Sequence, residues 1–323
     1  MVYRLSSKQL SQILAEHHPV SRGAINNIYS VEIDGRHCCL RVRARPEIFA
    51  YEHDMLKEPV LLHFWQAIGD EIDAEAALDL ALLNRTSSLP NLQNSIMPTL
   101  HVADETKQAI EHLYTISDWV EGQGLARANE LNNYRQAGTY LARLHDVSFK
   151  RFRNRFNEPW LEAPAWKDTM LASLKLVPNV DMAKVEAAAD YLEEVPSSFT
   201  LVHNDFHPMN LIVGEQGLSV VDWDNAVISV PEMDLVKMKY WTCAGDDGVF
   251  KPCAERYNAF LNAYRDSGGF CDAKRLRFCE IIWLLRIIAF DGTRKAQGAN
   301  LFPFPDPQIY VEALGALMAQ EAA

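Results

Sequence analysis

Hydrophobic positions near the start of the chain change from a helical spacing to an alternating one. Over residues 6–17, leucine and isoleucine recur along one helix face, after a serine pair that can cap the first turn. Residues 20–43 alternate instead, and the pair Asp34-Gly35 favours a tight turn in their middle. The pattern predicts a short leading helix followed by a β-hairpin.

Farther along, strand patterns give way to helical ones. Two strands are expected at 97–102 and 113–120, around a charged turn. The pattern then becomes mainly helical, with apolar positions spaced three and four apart. Helices are predicted over residues 47–68, 130–147, 251–266, 273–290 and 306–318. A β-rich first part and a mainly helical second part indicate an α+β chain.

A polar loop between two short hydrophobic runs carries the candidate chemistry. Asp205 and Asn210 lie on this loop, and Asp222 lies where the following strand ends. Phosphoryl transfer needs a carboxylate that orients the attacking hydroxyl and accepts its proton, and oxygen ligands that hold Mg²⁺. An acid and an amide five positions apart can reach both ends of a transferring phosphate from one rigid loop. The spacing predicts Asp205 as the base and Asn210 and Asp222 as ligands of Mg²⁺.

The run His203-x-Asp205-x-x-x-x-Asn210, together with the hydrophobic-Asp222-Trp-acid segment, resembles a known family. It is similar to the catalytic loop and metal aspartate of the aminoglycoside phosphotransferase and choline kinase group of small-molecule kinases. The resemblance implies a protein-kinase-like two-lobed fold, with a small β-rich lobe over 1–121 and a large, mainly helical lobe over 122–323. It also implies ATP- and Mg²⁺-dependent transfer of the γ-phosphate to a hydroxyl of an aminoglycoside, an amino alcohol or a sugar.

Residues in the first lobe are assigned to ATP by the same resemblance. A bend from Gly23 to Asn27 would cover the phosphates, and Arg41 would contact the α- and β-phosphates where the family usually has Lys. Arg43 would face the same side of the strand, so the choice between the two arginines stays open. An ordinary hairpin bend is the alternative interpretation for Gly23 and Asn27. Preference for ATP over GTP is likewise undecided.

Two further elements of that lobe follow the family pattern. Glu58 would pair with Arg41, although Pro59 disturbs its helix and leaves Glu52 as the alternative partner; solvated acids on a helix face would look the same. The segment 69–95 makes this part of the chain longer than the family pattern, and it is interpreted as an insertion. The hinge that would hold adenine through its backbone consists of Ser117, Asp118, Trp119 and Val120.

Other residues are assigned to support or to the substrate. His203 is interpreted as a buried hydrogen-bonding brace, and Asp234 resembles the family's acid that braces the catalytic loop, although a helix-start acid would also fit. Acids and aromatics would suit an amine-bearing substrate through ion pairing and cation–π contact, whereas core packing or surface exposure is the alternative for most of them. The candidate substrate contacts are Asp224, Tyr240, Trp241, Glu280, Trp283 and Asp291.

Composition narrows the class of protein. A formal net charge of −12 argues against a general nucleic-acid binder, which would need Lys and Arg to neutralise phosphates. The six cysteines lack a Cys-x-x-Cys spacing and the start of the chain lacks a signal-peptide pattern, which favours reduced thiols in the cytoplasm. The apolar run 281–290 contains Arg286 and is too short to span a bilayer, so no membrane partner is expected.

Two other classes compete with an active kinase. A nucleotide-binding pseudokinase or regulatory module would keep the fold without turnover, since the bend near Gly23 is poor in glycine and Arg41 replaces Lys. A metallohydrolase could use His203, Asp205, His207 and Asp222 as ligands, although no second paired-His motif occurs among the ten histidines. Asp205 and Asn210 could also be ordinary turn formers. The oligomeric state is not predicted.

Overall fold

The computed structural model describes the greater part of the chain. The described residues are 5–22, 26–43, 98, 100–104, 106–153, 159–175, 177, 179–190, 192, 194–215, 217–244, 249–296 and 306–319. The predicted helix over 47–68 with Glu52 and Glu58, the insertion over 69–95, and Gly23 therefore lie outside the described residues.

The first part of the fold is a helix packed on an antiparallel sheet. Helix α1 spans Ser7–Glu16 and begins with a capping box, in which the Ser6 hydroxyl accepts the backbone N–H of Gln9 at 3.3 Å. The sheet order is β1-β2-β3-β5-β4. Its strands are β1 (Ser21–Arg22), β2 (Asn26–Ile33), β3 (Arg36–Arg43), β4 (Leu100–Asp104) and β5 (Tyr114–Asp118). The predicted leading helix, hairpin and pair of later strands are confirmed.

The β2–β3 hairpin forms because its turn and its alternation agree. Asp34 and Gly35 both have positive φ, 50° and 74°, as a two-residue hairpin turn requires. Alternate side chains of the two strands are buried against α1, including Tyr29 and Leu40, which pair across the strands. Because successive residues point to opposite faces, Arg41 projects away from this core. The sheet thereby presents a cation on its other face.

After this sheet, the chain approaches the hairpin that precedes Asp222 very closely. Strand β6 (Gln123–Gly124) pairs with β8 (Leu211–Gly214), which forms a hairpin with β9 (Gly217–Val220). Gly122 has φ 141°, and a Cβ there would lie 2.4 Å from the carbonyl oxygen of Val213. Only glycine fits this approach. The backbone at the start of the second part therefore lies directly against the β8–β9 hairpin, which precedes Asp222.

The second part is mainly helical. Its helices are α2 (Leu131–His145), α3 (Trp166–Lys175), α4 (Met182–Ala189), α5 (Glu232–Tyr240), α6 (Ala254–Asp266), α7 (Ala273–Ala296) and α8 (Pro307–Ala319). Short strands β7 (Thr200–Val202) and β10 (Val227–Ser229) pair with each other, as do β11 (Cys243–Ala244) and β12 (Phe250–Lys251). The predicted helices at 130–147, 251–266, 273–290 and 306–318 are confirmed. Helix α6 begins three residues later than predicted, because residues 250–251 pair as β12.

Helices α2 and α6 form the centre of the second core. A Cβ at Gly138 would lie 2.2 Å from the carbonyl oxygen of Phe260, so the two helices are in backbone contact at this glycine. Buried aromatic residues on α2 and α6, including Tyr134 and Tyr264, fill the surrounding space. This core supports the segment 200–229, which contains the candidate site. Among the described residues, no helix has both the length and the apolarity that a membrane span needs.

Candidate active site

The loop between β7 and β8 is held by its own hydrogen bonds. Asn204 has a positive φ of 60°, and the backbone N–H of Asn210 donates to the carbonyl of His207 at 2.9 Å. The Asn210 side chain donates its Nδ2 to the carbonyl of Asp205 at 2.9 Å. Because the amide nitrogen is used in this bond, the amide oxygen is the atom of Asn210 that can bind a cation.

His203 lies inside the protein beneath this loop. Its Nε2 donates to the carbonyl of Val221 at 3.1 Å, and its Nδ1 accepts the backbone N–H of Asp205 at 3.2 Å. The ring packs 4.6 Å from that of Trp223. Burial lowers the pKa of His203, although nearby carboxylates partly oppose the shift, so the imidazole is neutral at pH 7. Both ring nitrogens are used in bonds that join the loop to the end of β9.

Asp234 on α5 holds the backbone of the same loop. Its carboxylate is fully buried and accepts the N–H of His203 at 2.7 Å and that of Asn204 at 2.6 Å. His145 at the end of α2 approaches the same carboxylate, with Nε2 at 3.3 Å from Oδ2. Two charge-assisted bonds to consecutive N–H groups stabilise the left-handed conformation of Asn204. The position predicted for Asp234 from the sequence thus lies directly under the loop.

Asp205 faces a lysine ammonium and an imidazole ring. Lys237 on α5 makes an ion pair with Oδ1, and Nε2 of His207 lies 3.4 Å from the same oxygen. Burial by itself raises the pKa of the Asp205 carboxyl, but Lys237 and His207 more than offset this effect and hold the pKa well below its usual value. The carboxylate is therefore ionised at pH 7. Sequence reasoning missed Lys237, although its position three residues after Asp234 on a helix could have indicated it.

Asp222 connects the loop region to the N-terminal sheet. It has a positive φ of 66°, which is uncommon for a residue other than glycine and directs its side chain out of the strand path. Nη2 of Arg41 on β3 lies 2.9 Å from Oδ1 of Asp222. Asn210 lies beside them, because its carbonyl accepts the N–H of Val221 at 3.0 Å. The structure therefore brings Arg41 to Asp222, which follows the residue bonded to the Asn210 backbone, and this contact favours Arg41 over Arg43.

The predicted hinge lies at the end of β5. The backbone N–H of Trp119 donates to the carbonyl of His37 at 3.1 Å, so that donor is already used. The Trp119 ring stacks on His37 at 5.0 Å, and Asp118 pairs with His101 at 2.6 Å. Ser117 is buried, and Val120 follows outside the strand. Any adenine contact along this segment falls to backbone groups other than the N–H of Trp119.

The sequence predicted that Asn27 lies in a bend, and the structure contradicts this prediction. It lies within β2, paired with Arg22 of β1 and with Val42 of β3. A residue paired on both sides has its backbone groups committed to the sheet, so it does not offer a free N–H to phosphates. The predicted phosphate-covering role of Asn27 is corrected accordingly, and its proposed partner Gly23 lies outside the described residues.

Several predicted substrate contacts instead join helices to one another. Glu280 is 4% exposed, accepts the hydroxyl of Tyr240, and lies 2.5 Å from Nζ of Lys239. Nε1 of Trp241 donates to the hydroxyl of Tyr310 on α8 at 2.7 Å. Glu280 is thus a buried carboxylate whose partners lie on α5, rather than a carboxylate open to a substrate. Core packing accounts for these contacts.

The remaining substrate candidates are Trp283, Asp291 and Asp224. Trp283 is partly buried and stacks on Tyr240 at 5.2 Å. Asp291 is buried near the end of α7, which argues against direct contact with a substrate. Asp224 lies in a one-turn helix at 223–225, and its side chain is outside the described part of the structure.

Comparison with known proteins agrees with this geometry. Residues 16–271 match the model of the Phosphotransferase enzyme family. No curated protein matches the chain by sequence. Three of the solved structures that share the fold at low identity are described next, and each is covered almost entirely. The predicted resemblance and the kinase-like fold are confirmed.

The first is a thermostable mutant of an aminoglycoside phosphotransferase in ternary complex with AMP-PNP and hygromycin B, with 17% identity, 98% of this chain and 100% of that chain covered, and a TM-score of 0.62. The second is a choline/ethanolamine kinase family protein from Mesorhizobium loti, with 15% identity, 97% and 95% covered, and a TM-score of 0.54. The third is a spectinomycin phosphotransferase in complex with ADP and spectinomycin, with 14% identity, 96% of this chain and 93% of that chain covered, and a TM-score of 0.52. With most of its length inside the family model and a kinase-like fold throughout, the chain belongs to the phosphotransferase enzyme family and is a small-molecule phosphotransferase.

Proposed function

We propose that this enzyme uses ATP and Mg²⁺ to phosphorylate a hydroxyl group of a small molecule. The observation that carries the proposal is the contact between Arg41 and Asp222, 2.9 Å apart, beside Asn210. This contact joins a cation from the N-terminal sheet to a carboxylate next to the catalytic loop. Phosphoryl transfer requires such a convergence of a phosphate-binding cation, metal ligands and a base.

The donor atoms suit a hard divalent cation. The amide oxygen of Asn210 and the half-exposed carboxylate of Asp222 are oxygen donors, which Mg²⁺ prefers. When bound, Mg²⁺ neutralises charge on the phosphates. Arg41 would hold the α- and β-phosphates with its planar, permanently charged guanidinium. Asp118, Trp119 and Val120 remain the proposed hinge for the base of the nucleotide.

Asp205 would act on the acceptor. Its ionised carboxylate orients the hydroxyl and takes its proton while the hydroxyl oxygen forms a bond to the γ-phosphorus. The bond between that phosphorus and the bridging oxygen of ADP breaks, and ADP leaves. The hydrogen bonds that the buried side chains of His203 and Asp234 make to the loop backbone would hold the loop in place during the transfer. The products are ADP and a phosphate monoester.

Two broader assignments belong to the same proposal. The lobes would divide near residue 121, and the close approach at Gly122 supports a crossing there. A cytoplasmic location is supported by the six cysteines, all among the described residues, which form no disulfide with one another. The acceptor would be an aminoglycoside, an amino alcohol or a sugar, and a turnover screen across these three groups separates them.

A calorimetric titration tests the nucleotide site. ATP is titrated into wild type and into Asp222→Ala, each with and without Mg²⁺. We expect binding to wild type to be strengthened by Mg²⁺, and Asp222→Ala to remove that gain, because a metal ligand is lost. Unchanged Mg²⁺ dependence in the variant would move the metal site elsewhere. An absence of nucleotide binding would contradict the proposed function.

The competing classes predict different results. A pseudokinase would bind MgATP but phosphorylate no acceptor in the screen. A metallohydrolase would carry a tightly bound transition metal, which elemental analysis detects. His203 does not support that second class, since both of its ring nitrogens are hydrogen-bonded to the backbone. Within the described residues, no group of three or more His, Cys, Asp or Glu side chains is arranged around a metal position.

A further inference from the structure

Lys237 has an unusual position beneath the candidate base. Its side chain is only 16% exposed and its ammonium contacts Oδ1 of Asp205. The same ammonium lies 4.7 Å from the centre of the Trp241 ring, within cation–π range. An ammonium held between a carboxylate and an indole has little freedom to move. Lys237 therefore fixes the direction from which it contacts Asp205.

The contacts of Asp205 are distributed unevenly over its carboxylate. Lys237 and His207 both approach Oδ1. Across the described part of the chain, the side-chain contacts of Asp205 fall on this oxygen, which leaves Oδ2 for an acceptor hydroxyl. Because an ammonium and an imidazole nitrogen both contact one oxygen, they determine how the carboxylate plane is turned.

Helix α5 holds the catalytic loop at two levels. Asp234 binds the backbone N–H groups of residues 203 and 204, and Lys237, three residues later on the same helix face, binds the side chain of Asp205. Trp241, beneath Lys237, stacks on Phe250 of β12 at 5.0 Å with nearly parallel rings. One helix thus supports both the path of the loop and the aim of its carboxylate.

From this arrangement we infer that Lys237 is a positioning residue for the phosphotransfer reaction, which turns the Asp205 carboxylate so that Oδ2 faces the acceptor hydroxyl. The inference rests on the proposed function, because it assigns Lys237 to the same site. The competing account is an ion pair that stabilises the fold and has no part in catalysis. The two accounts differ in whether removal of the ammonium slows turnover through Asp205.

The first test uses single variants at one helix. The probe is MgATP with water as the acceptor, and released inorganic phosphate is measured. We expect Lys237→Met, which keeps length but removes charge, to lower kcat by about 10- to 100-fold and to leave the KM for MgATP within about twofold. Lys237→Arg should recover most of the loss. Lys239→Met, whose ammonium pairs with Glu280 instead, is the matched control and should retain the kcat of wild type.

The second test asks whether Lys237 acts through Asp205. We expect Asp205→Asn and the double variant with Lys237→Met to have the same low kcat, since a residue that only aims the carboxylate has nothing to aim in its absence. A double variant whose kcat falls by the product of the two single-variant losses would overturn the inference. So would a Lys237→Met variant that unfolds at lower temperature but keeps its kcat. If wild type neither releases phosphate from MgATP nor phosphorylates any acceptor in the screen, the proposed function fails together with the inference, whereas a multiplicative loss in the double variant with an active wild type refutes Lys237 alone.

Discussion

The candidate loop over 203–210 and a group of four packed side chains use their polar atoms in different ways. This group, here called the aromatic wall, consists of Tyr240, Trp241, Glu280 and Trp283. His203 and, from α5, Asp234 bind backbone groups of the loop, while the described side-chain contacts of Asp205 fall on Oδ1 and leave Oδ2 for the proposed chemistry. In the aromatic wall, the polar atoms of Tyr240 and Trp241 bond to other parts of the protein. A polar residue is therefore a better candidate for function when its surroundings hold it in place without using its reactive atom.

The largest expected effect comes from removing the reactive atoms of the loop. Asp205→Ala should lower phosphate transfer by about 10²- to 10⁴-fold, because the hydroxyl loses the group that orients it and accepts its proton. MgATP binding, measured by calorimetry, should be largely retained, since Asn210, Asp222 and Arg41 are unchanged. Near-normal turnover in this variant would contradict the role of Asp205.

The next effect sharpens the comparison by removing the support of the loop. Asp234→Ala should lower the free energy of unfolding by about 2–5 kcal/mol, since two buried N–H groups lose their acceptor. Thermal or urea unfolding measures this loss, and turnover should fall in parallel as the loop relaxes. Asp181→Ala removes an exposed helix-capping carboxylate on α4 and serves as the control. A stable and fully active Asp234→Ala variant would refute the bracing role.

A smaller effect tests the aromatic wall. Glu280→Gln should lower the free energy of unfolding by about 1–3 kcal/mol, because charge-assisted bonds from Tyr240 and Lys239 are weakened. The KM for any acceptor found in the screen should stay the same, as the carboxylate is buried. A rise in KM without loss of stability would return Glu280 to the substrate site and break the contrast between the two regions.

The smallest effect depends on pH. Since burial lowers the pKa of His203 in the folded protein, the unfolded chain binds the proton more readily. Folding stability is therefore fully present above about pH 6.5 and falls as pH drops below it, by up to about 1.4 kcal/mol per pH unit. Unfolding curves between pH 7.5 and 5 measure the slope, and His203→Gln should flatten it. A slope identical in the two proteins would mean that His203 is protonated in the fold.

Local patterns in the sequence were sufficient for much of the fold. Alternation around Asp34-Gly35 predicted the β2–β3 hairpin, because the turn conformation and the buried face are both local properties. Asn27 was assigned to a bend, since nothing local shows that β1 pairs with the start of β2. Glu280 was assigned to the substrate for a similar reason, as its partners Lys239 and Tyr240 are about forty residues away.

By itself, the sequence determined the β2–β3 hairpin and the four confirmed helices of the second part, the family resemblance, and the loop that carries Asp205 and Asn210 and leads towards Asp222. These features depend on spacing within a short stretch, where chain geometry fixes which residues can meet. Only the tertiary structure decided that Arg41 meets Asp222 and that Lys237 meets Asp205. Those contacts join residues 181 and 32 positions apart, and they depend on how the sheet and α5 pack around the loop rather than on any local pattern.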